Sequence, residues 1–109
     1  MAYIFNTTFI ISPAEEENFL SEMRSAYLPQ LFNAESPARN AALRKVVEAG
    51  GERPDPQHGL SMALHAEFET SDDAHRWNDI FLLPVLGEFQ KKFGPDCAFF
   101  TTLLEDVLL

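Results

Sequence analysis

His65 and Glu67 stand two residues apart in Leu60–Glu69 (LSMALHAEFE). In an extended strand that spacing sends both side chains to the same face. A histidine titrates near neutrality, so this pair is the sequence's candidate for general acid–base chemistry. Asn6, Thr8 and Thr101 are the neutral hydrogen-bonding residues that a sheet would bring beside it, and with His65 they form the candidate ligand-binding set. A plainer reading stands next to the catalytic one: a cross-strand hydrogen bond or an interface contact.

Other chemistries find less support. His58, His65 and His75 fall in a loop, a strand and a helix, without the short ligand spacings of zinc sites. Cys97 follows a Gly-Pro-Asp turn, and a nucleophilic thiol needs an adjacent base or cation; Lys91 and Lys92 read as solvated, so the thiol reads as idle. Gly50-Gly51 is not followed by a phosphate-binding fingerprint, and Ser61 has no nucleophile-elbow turn around it. No motif requires a cofactor or a metal, and none is expected.

These residues need a scaffold, and the composition bounds it. A chain of 109 residues with 46% hydrophobic and 23% charged residues is expected to form one globular domain over 1–109. Seventeen acidic against eight basic residues give a net charge of −9, which repels phosphate backbones and anionic lipid surfaces; no nucleic-acid or membrane partner is expected. One cysteine forms no internal disulfide, and no apolar run approaches the roughly 18 residues of a membrane span. No basic-then-apolar leader opens the chain, so the expected compartment is the cytoplasm. Ten phenylalanines are many for this length and point to aromatic contacts beyond a single core.

Alternation and capping signals then order the elements. Tyr3–Ile11 (YIFNTTFII) alternates as a strand, with Tyr3, Phe5, Thr7, Phe9 and Ile11 on one face. Ser12-Pro13-Ala14-Glu15 reads as a capping box opening a helix whose buried stripe is Phe19, Leu20, Met23 and Tyr27. Pro29 limits that helix or restarts a short turn. Residues 40–49 fit helix or strand, 50–59 a long turn, and 60–69 a strand. Thr70 caps a second helix with the stripe Trp77, Phe81, Val85, Phe89 and Phe93. A kink or break is expected at Pro84, and Gly94-Pro95 ends the helix. Ala98–Leu109 is the last strand. Leu28-Pro29-Gln30-Leu31 echoes Leu83-Pro84-Val85-Leu86.

This order predicts an α+β ferredoxin-like βαββαβ two-layer sandwich: an antiparallel sheet with both helices on one face. The other face, with Ile4, Asn6, Thr8 and Ile10 beside Ala63, His65 and Glu67, is left open. Phe99, Thr101 and Leu103, or their alternates, join it from the last strand. That face is too apolar for water, so a homodimer is expected, of the dimeric α/β-barrel kind if two sheets pack together. The alternative cover is Val107, Leu108 and Leu109 folding back over it.

Tyr3-Ile4-Phe5-Asn6-Thr7-Thr8-Phe9, Tyr27-Leu28-Pro29, Lys92-Phe93-Gly94 and Phe100-Thr101-Thr102-Leu103-Leu104-Glu105 together resemble the family catalogued as domain of unknown function 4286, a small bacterial family met mainly in Bacteroidetes. The resemblance spans nearly the whole chain. It implies the ferredoxin-like fold and a strand over Leu43–Glu48, and it brings no reaction, cofactor or catalytic residue with it. The expected function is a noncatalytic homodimeric module that binds a small ligand or a protein partner. Its alternative is a cofactor-independent enzyme of dimeric α/β-barrel type using a sheet-face cavity.

Overall fold

The structure is a computed structural model that describes residues 2–47 and 60–107. The expected turn over 50–59, with His58, lies outside the described residues, as do Glu48, Ala49, Leu108 and Leu109. Four strands, β1 (Tyr3–Ile11), β2 (Arg39–Lys45), β3 (Leu60–Phe68) and β4 (Ala98–Glu105), form one antiparallel sheet in the order β2-β3-β1-β4. β1 and β3 are the two inner strands.

Alternation fixes which side is core. Phe5, Phe9 and Ile11 of β1 and Met62, Leu64, Ala66 and Phe68 of β3 are buried. Phe9 meets Phe19 of the first helix and Phe89 of the second, each with ring centroids 5.1 Å apart, so both helices cover the same sheet face. Trp77 stacks on Phe32 at 5.8 Å and donates its Nε1–H to the Leu31 carbonyl at 2.9 Å. That bond satisfies one of the carbonyls left over at the end of the first helix and ties the two helices together.

Residues 40–49 resolve, as far as they are described, to a strand ending at Lys45. The pairing of β2 with β3 slips between Arg39 and Ala42, and Asn40 sits there with φ of +50°. A bulge needs one residue outside the β region, and asparagine tolerates the left-handed one.

One local expectation is corrected and another is narrowed. Ser12 makes no side-chain cap: the Glu15 amide bonds the Ser12 carbonyl at 2.9 Å, and Pro13–Glu15 is a 3-10 turn ahead of the helix proper. With proline setting φ at the first position, the backbone closes this turn without the hydroxyl. Of the kink or break expected at Pro84, the chain shows a local irregularity and no break. Both helices pass through their Leu-Pro step on a π turn, Met23–Tyr27 and Asn78–Leu82. Leu28 N–H bonds the Met23 carbonyl and Leu83 N–H bonds the Asn78 carbonyl, five residues back in each case. Proline lacks a donor and its ring crowds the carbonyl four residues earlier; widening the preceding turn by one residue accommodates both. The Leu-Pro echo in the sequence is therefore a shared backbone device.

The second helix closes at Gly94, whose N–H bonds the Gln90 carbonyl at 3.0 Å. A Cβ at Gly94 would lie 2.8 Å from that same oxygen, which is why glycine stands there. Among the described residues, no helix is long and apolar enough to cross a membrane.

Candidate functional site

The face opposite the helices is built by four cross-strand rows, which cross β1 at Ile4, Asn6, Thr8 and Ile10. Asn6 of β1 lies opposite His65 of β3 and Thr102 of β4, and His65 lies opposite Ala42 of β2. On one side of this polar row run Glu67, Ile4 and Leu104; on the other run Arg44, Ala63, Thr8 and Phe100. Side chains directly opposite across an antiparallel pair have Cβ atoms about 4.5–5.5 Å apart, so each row is a continuous contact strip.

The sheet thus brings Asn6, Thr8, His65 and Glu67 onto one surface. It does not bring Thr101 there. Thr101 pairs with Thr7, on the side of the helices, and the two hydroxyls lie 3.4 Å apart. Thr7 is a buried polar residue, and Thr101 supplies its hydrogen-bond partner. The β4 residues on the open face are Phe100, Thr102 and Leu104, the alternates to Phe99, Thr101 and Leu103. Apolar residues occupy both faces of this strand, so alternation alone does not tell them apart; the pairing of Phe9 with Phe99 does.

The open face is apolar and poor in acid. Phe100 is 53% exposed, Leu104 46% and Ile10 36%. Arg39, Arg44 and Glu67 are the charged residues in its paired rows, although the chain as a whole carries −9. Glu67 accepts a short hydrogen bond from Asn40 Nδ2, and Arg39 pairs with Glu69 at 3.2 Å. The bond from Asn40 holds the carboxylate of Glu67 toward the β2 edge, where the bulge presents that asparagine. Val107 is 80% exposed and so does not fold over the face.

One atom on this face stands out. Asn6 Oδ1 is sealed from solvent by its neighbours and has no hydrogen-bond partner among the described residues. A buried amide oxygen left unpaired costs about 1–3 kcal/mol, and native structures tolerate few of them.

Elsewhere, Cys97 is half-buried against the core edge, and His75 is tied to its own helix, with Nδ1 2.8 Å from the Ser71 carbonyl oxygen. Among the described residues, no three His, Cys, Asp or Glu side chains gather as a metal site. Two phenols are perturbed. Glu105 beside Tyr3 raises its pKa above the ordinary 10.0, with the bond from Tyr3 Oη to Glu105 Oε1 at 3.3 Å. Burial, then Glu22 and Glu88, raise that of Tyr27.

The four-stranded antiparallel sheet with two helices on one face defines a ferredoxin-like α+β protein. The profile of the domain of unknown function DUF4286 matches residues 2–107, and the chain belongs to that family. Solved structures share the fold. A candidate antibiotic biosynthesis monooxygenase from Bordetella bronchiseptica is 19% identical, with a TM-score of 0.61 over 98% of each chain. An ethyl tert-butyl ether (ethd) family protein from Bacillus halodurans is 9% identical, with a TM-score of 0.66 over 96% of this chain and 99% of its own. A dimeric ferredoxin-like protein from an uncultured marine organism is 14% identical, with a TM-score of 0.61 over 100% of this chain and 99% of its own. No curated protein matches the chain.

Proposed function

We propose that this chain is a noncatalytic homodimeric module, working in the cytoplasm, whose open sheet face packs against a second copy. The dimer then offers its remaining surfaces to a small ligand or a protein partner. The observation that carries the reading is the open face itself: Ile10, Phe100 and Leu104 in water around a polar centre, on a surface whose paired rows hold Arg39 and Arg44 against one acid, Glu67. Two copies of a −9 chain repel each other, so they associate best where acid is sparse. Four strands of about eight residues span about 500 Å² in projection, and a corrugated surface of that size approaches the ~800 Å² per partner of a standard interface. The dimeric state of the marine ferredoxin-like relative agrees with this reading.

A second reading is a cofactor-independent enzyme with a cavity on the same face. It is favoured by His65, a candidate base, standing opposite Asn6, whose Oδ1 has no partner among the described residues. In that reading Glu67 is the supporting carboxylate and Thr8 a further substrate contact. The two readings part at His65→Ala, which shifts association in the first and abolishes turnover in the second.

Native mass spectrometry of gently purified protein, repeated after denaturation, tests the proposal. A dimer without a bound small molecule is the expected result and directs the search to protein partners. A dimer that releases a compound on denaturing identifies the ligand. A monomer at every concentration overturns the proposal.

A further inference from the structure

His65 lies close to the middle of the open face. It stands on β3, an inner strand, in the second of the four rows, and the midpoint of the face falls among Asn6, Thr8, Ala63 and His65. With strands about 4.8 Å apart and alternate residues about 6.8 Å apart, its Cα is about 4 Å from that midpoint. In the single chain His65 is half-buried, so it still meets water. A contact that covers the whole face with a second copy is self-complementary about a two-fold through the midpoint. Whatever the direction of that axis, the two His65 positions lie within about 8 Å of each other in projection. Both are then inside the interface, away from its wet rim.

We infer that the open-face dimer takes His65 only in its uncharged form, so that acid dissociates it and the central histidine regulates assembly. The inference rests on the homodimer reading and deepens it by naming how that contact is controlled. The charges around the ring are few among the described residues. Its own strand offers Glu67 one row away, and β2 offers Arg44 one row to the other side and Arg39 in the row of Glu67. β1 and β4 offer none on this face, only Ile4, Asn6, Thr8 and Ile10 and then Ala98, Phe100, Thr102 and Leu104. Arg39 is engaged by Glu69, and Glu67 by Asn40. Arg44 and Glu67 thus flank His65 with opposite signs, in the single chain as in the dimer. What association changes is the loss of water around the ring and the arrival of the second copy's imidazole, and both oppose a charged ring. Protons therefore bind the separated chains better than the dimer. Association is complete above the range where an ordinary imidazole takes up its proton, near pH 6.5, and is lost as pH falls through that range. If only the neutral ring is admitted, each copy contributes a factor of about 30 between pH 8 and pH 5, and the dimer squares it to about a thousandfold.

Sedimentation equilibrium from about pH 8 to about pH 5 tests the inference, at about 0.15 M salt to screen the long-range field of the carboxylates. Circular dichroism confirms the fold at each pH. The wild-type dimer is expected to weaken by at least about tenfold and at most about a thousandfold across this range. His65→Gln keeps a hydrogen-bonding amide but carries no titrating ring; its dimer constant is expected to stay within about threefold over the same range. His65→Ala takes its place if the glutamine variant does not fold. His75→Gln, a change on the second helix, is expected to keep the wild-type profile. A wild-type dimer that weakens by less than tenfold, or tightens toward pH 5, overturns the inference. So does a loss in acid that the His65 variant shares in full. A wild type that is monomeric even at pH 8 removes the homodimer reading itself, which separates the two failures.

Discussion

Phe99 and Phe100 are neighbours in β4 that serve opposite faces, and replacing each by alanine separates folding from association. Phe99 packs under the helices, its ring 6.0 Å from that of Phe89. Phe100 stands on the open face and is 53% exposed in the single chain. A phenylalanine buries about 200 Å² when fully covered, so Phe100 leaves about 100 Å² of apolar surface in water. At ~25 cal/mol per Å², covering it is worth about 2.5 kcal/mol per copy and about 5 kcal/mol in a two-fold dimer. Ordering costs at an interface consume part of this, and if half survives, Phe100→Ala weakens the dimer about fiftyfold. Sedimentation equilibrium reads that constant. Urea unfolding of dilute, dissociated protein should show Phe100→Ala close to wild type. Phe99→Ala, a partly buried large-to-small change, should lose about 2–3 kcal/mol of folding stability. An unchanged dimer constant for Phe100→Ala would refute the assignment of the open face as the interface. A large loss of monomer stability in the same variant would refute the division of faces.

Capping differs between the two helices, and mutation should show it. Thr70→Ala removes the bond that the Asp73 amide donates to Thr70 Oγ1 at 3.0 Å, and should cost about 1 kcal/mol in urea unfolding. Ser12→Ala should cost far less, because the Ser12 hydroxyl caps nothing. Trp77→Phe removes the donor to the buried Leu31 carbonyl and should cost about 2–3 kcal/mol by the same assay. The Tyr27 phenol titrates higher folded than unfolded, so its contribution is intact below the ordinary value of 10.0 and is lost as pH rises through the folded value. Stability should therefore fall in the alkaline range above that value, and less steeply in Tyr27→Phe, with tyrosinate absorbance following the unfolding.

Most of the architecture was legible because its signals are local. The alternation of Tyr3–Ile11 and Leu60–Phe68 names both the strands and their buried faces, and the helix stripes through Phe19 and Phe89 name what covers them. What was not legible depends on partners distant in sequence. The last strand is apolar on both sides, so the exchange of Thr101 for Thr102 at the open face follows only from its pairing with Thr7 and Asn6. The repeated Leu-Pro pair marked both places, but a proline signal alone reads as a kink, a break or a helix end and does not specify the widened turns found before Pro29 and Pro84. The Asn40 bulge carries no sequence mark beyond an asparagine, and it is what turns that side chain to Glu67. Of the candidate residues, Asn6, Thr8, His65 and Glu67 were brought together because they sit on the alternate positions of two adjacent strands.

The claim on which the rest depends is that the open face is covered by a second copy. Sedimentation equilibrium of the wild-type protein across a wide concentration range tests it most directly. The account expects a reversible transition between one and two chains of 12.3 kDa, with the dimer dominant at micromolar concentration, about the range of a modest specific interface. A single 12.3 kDa species at every concentration would contradict it.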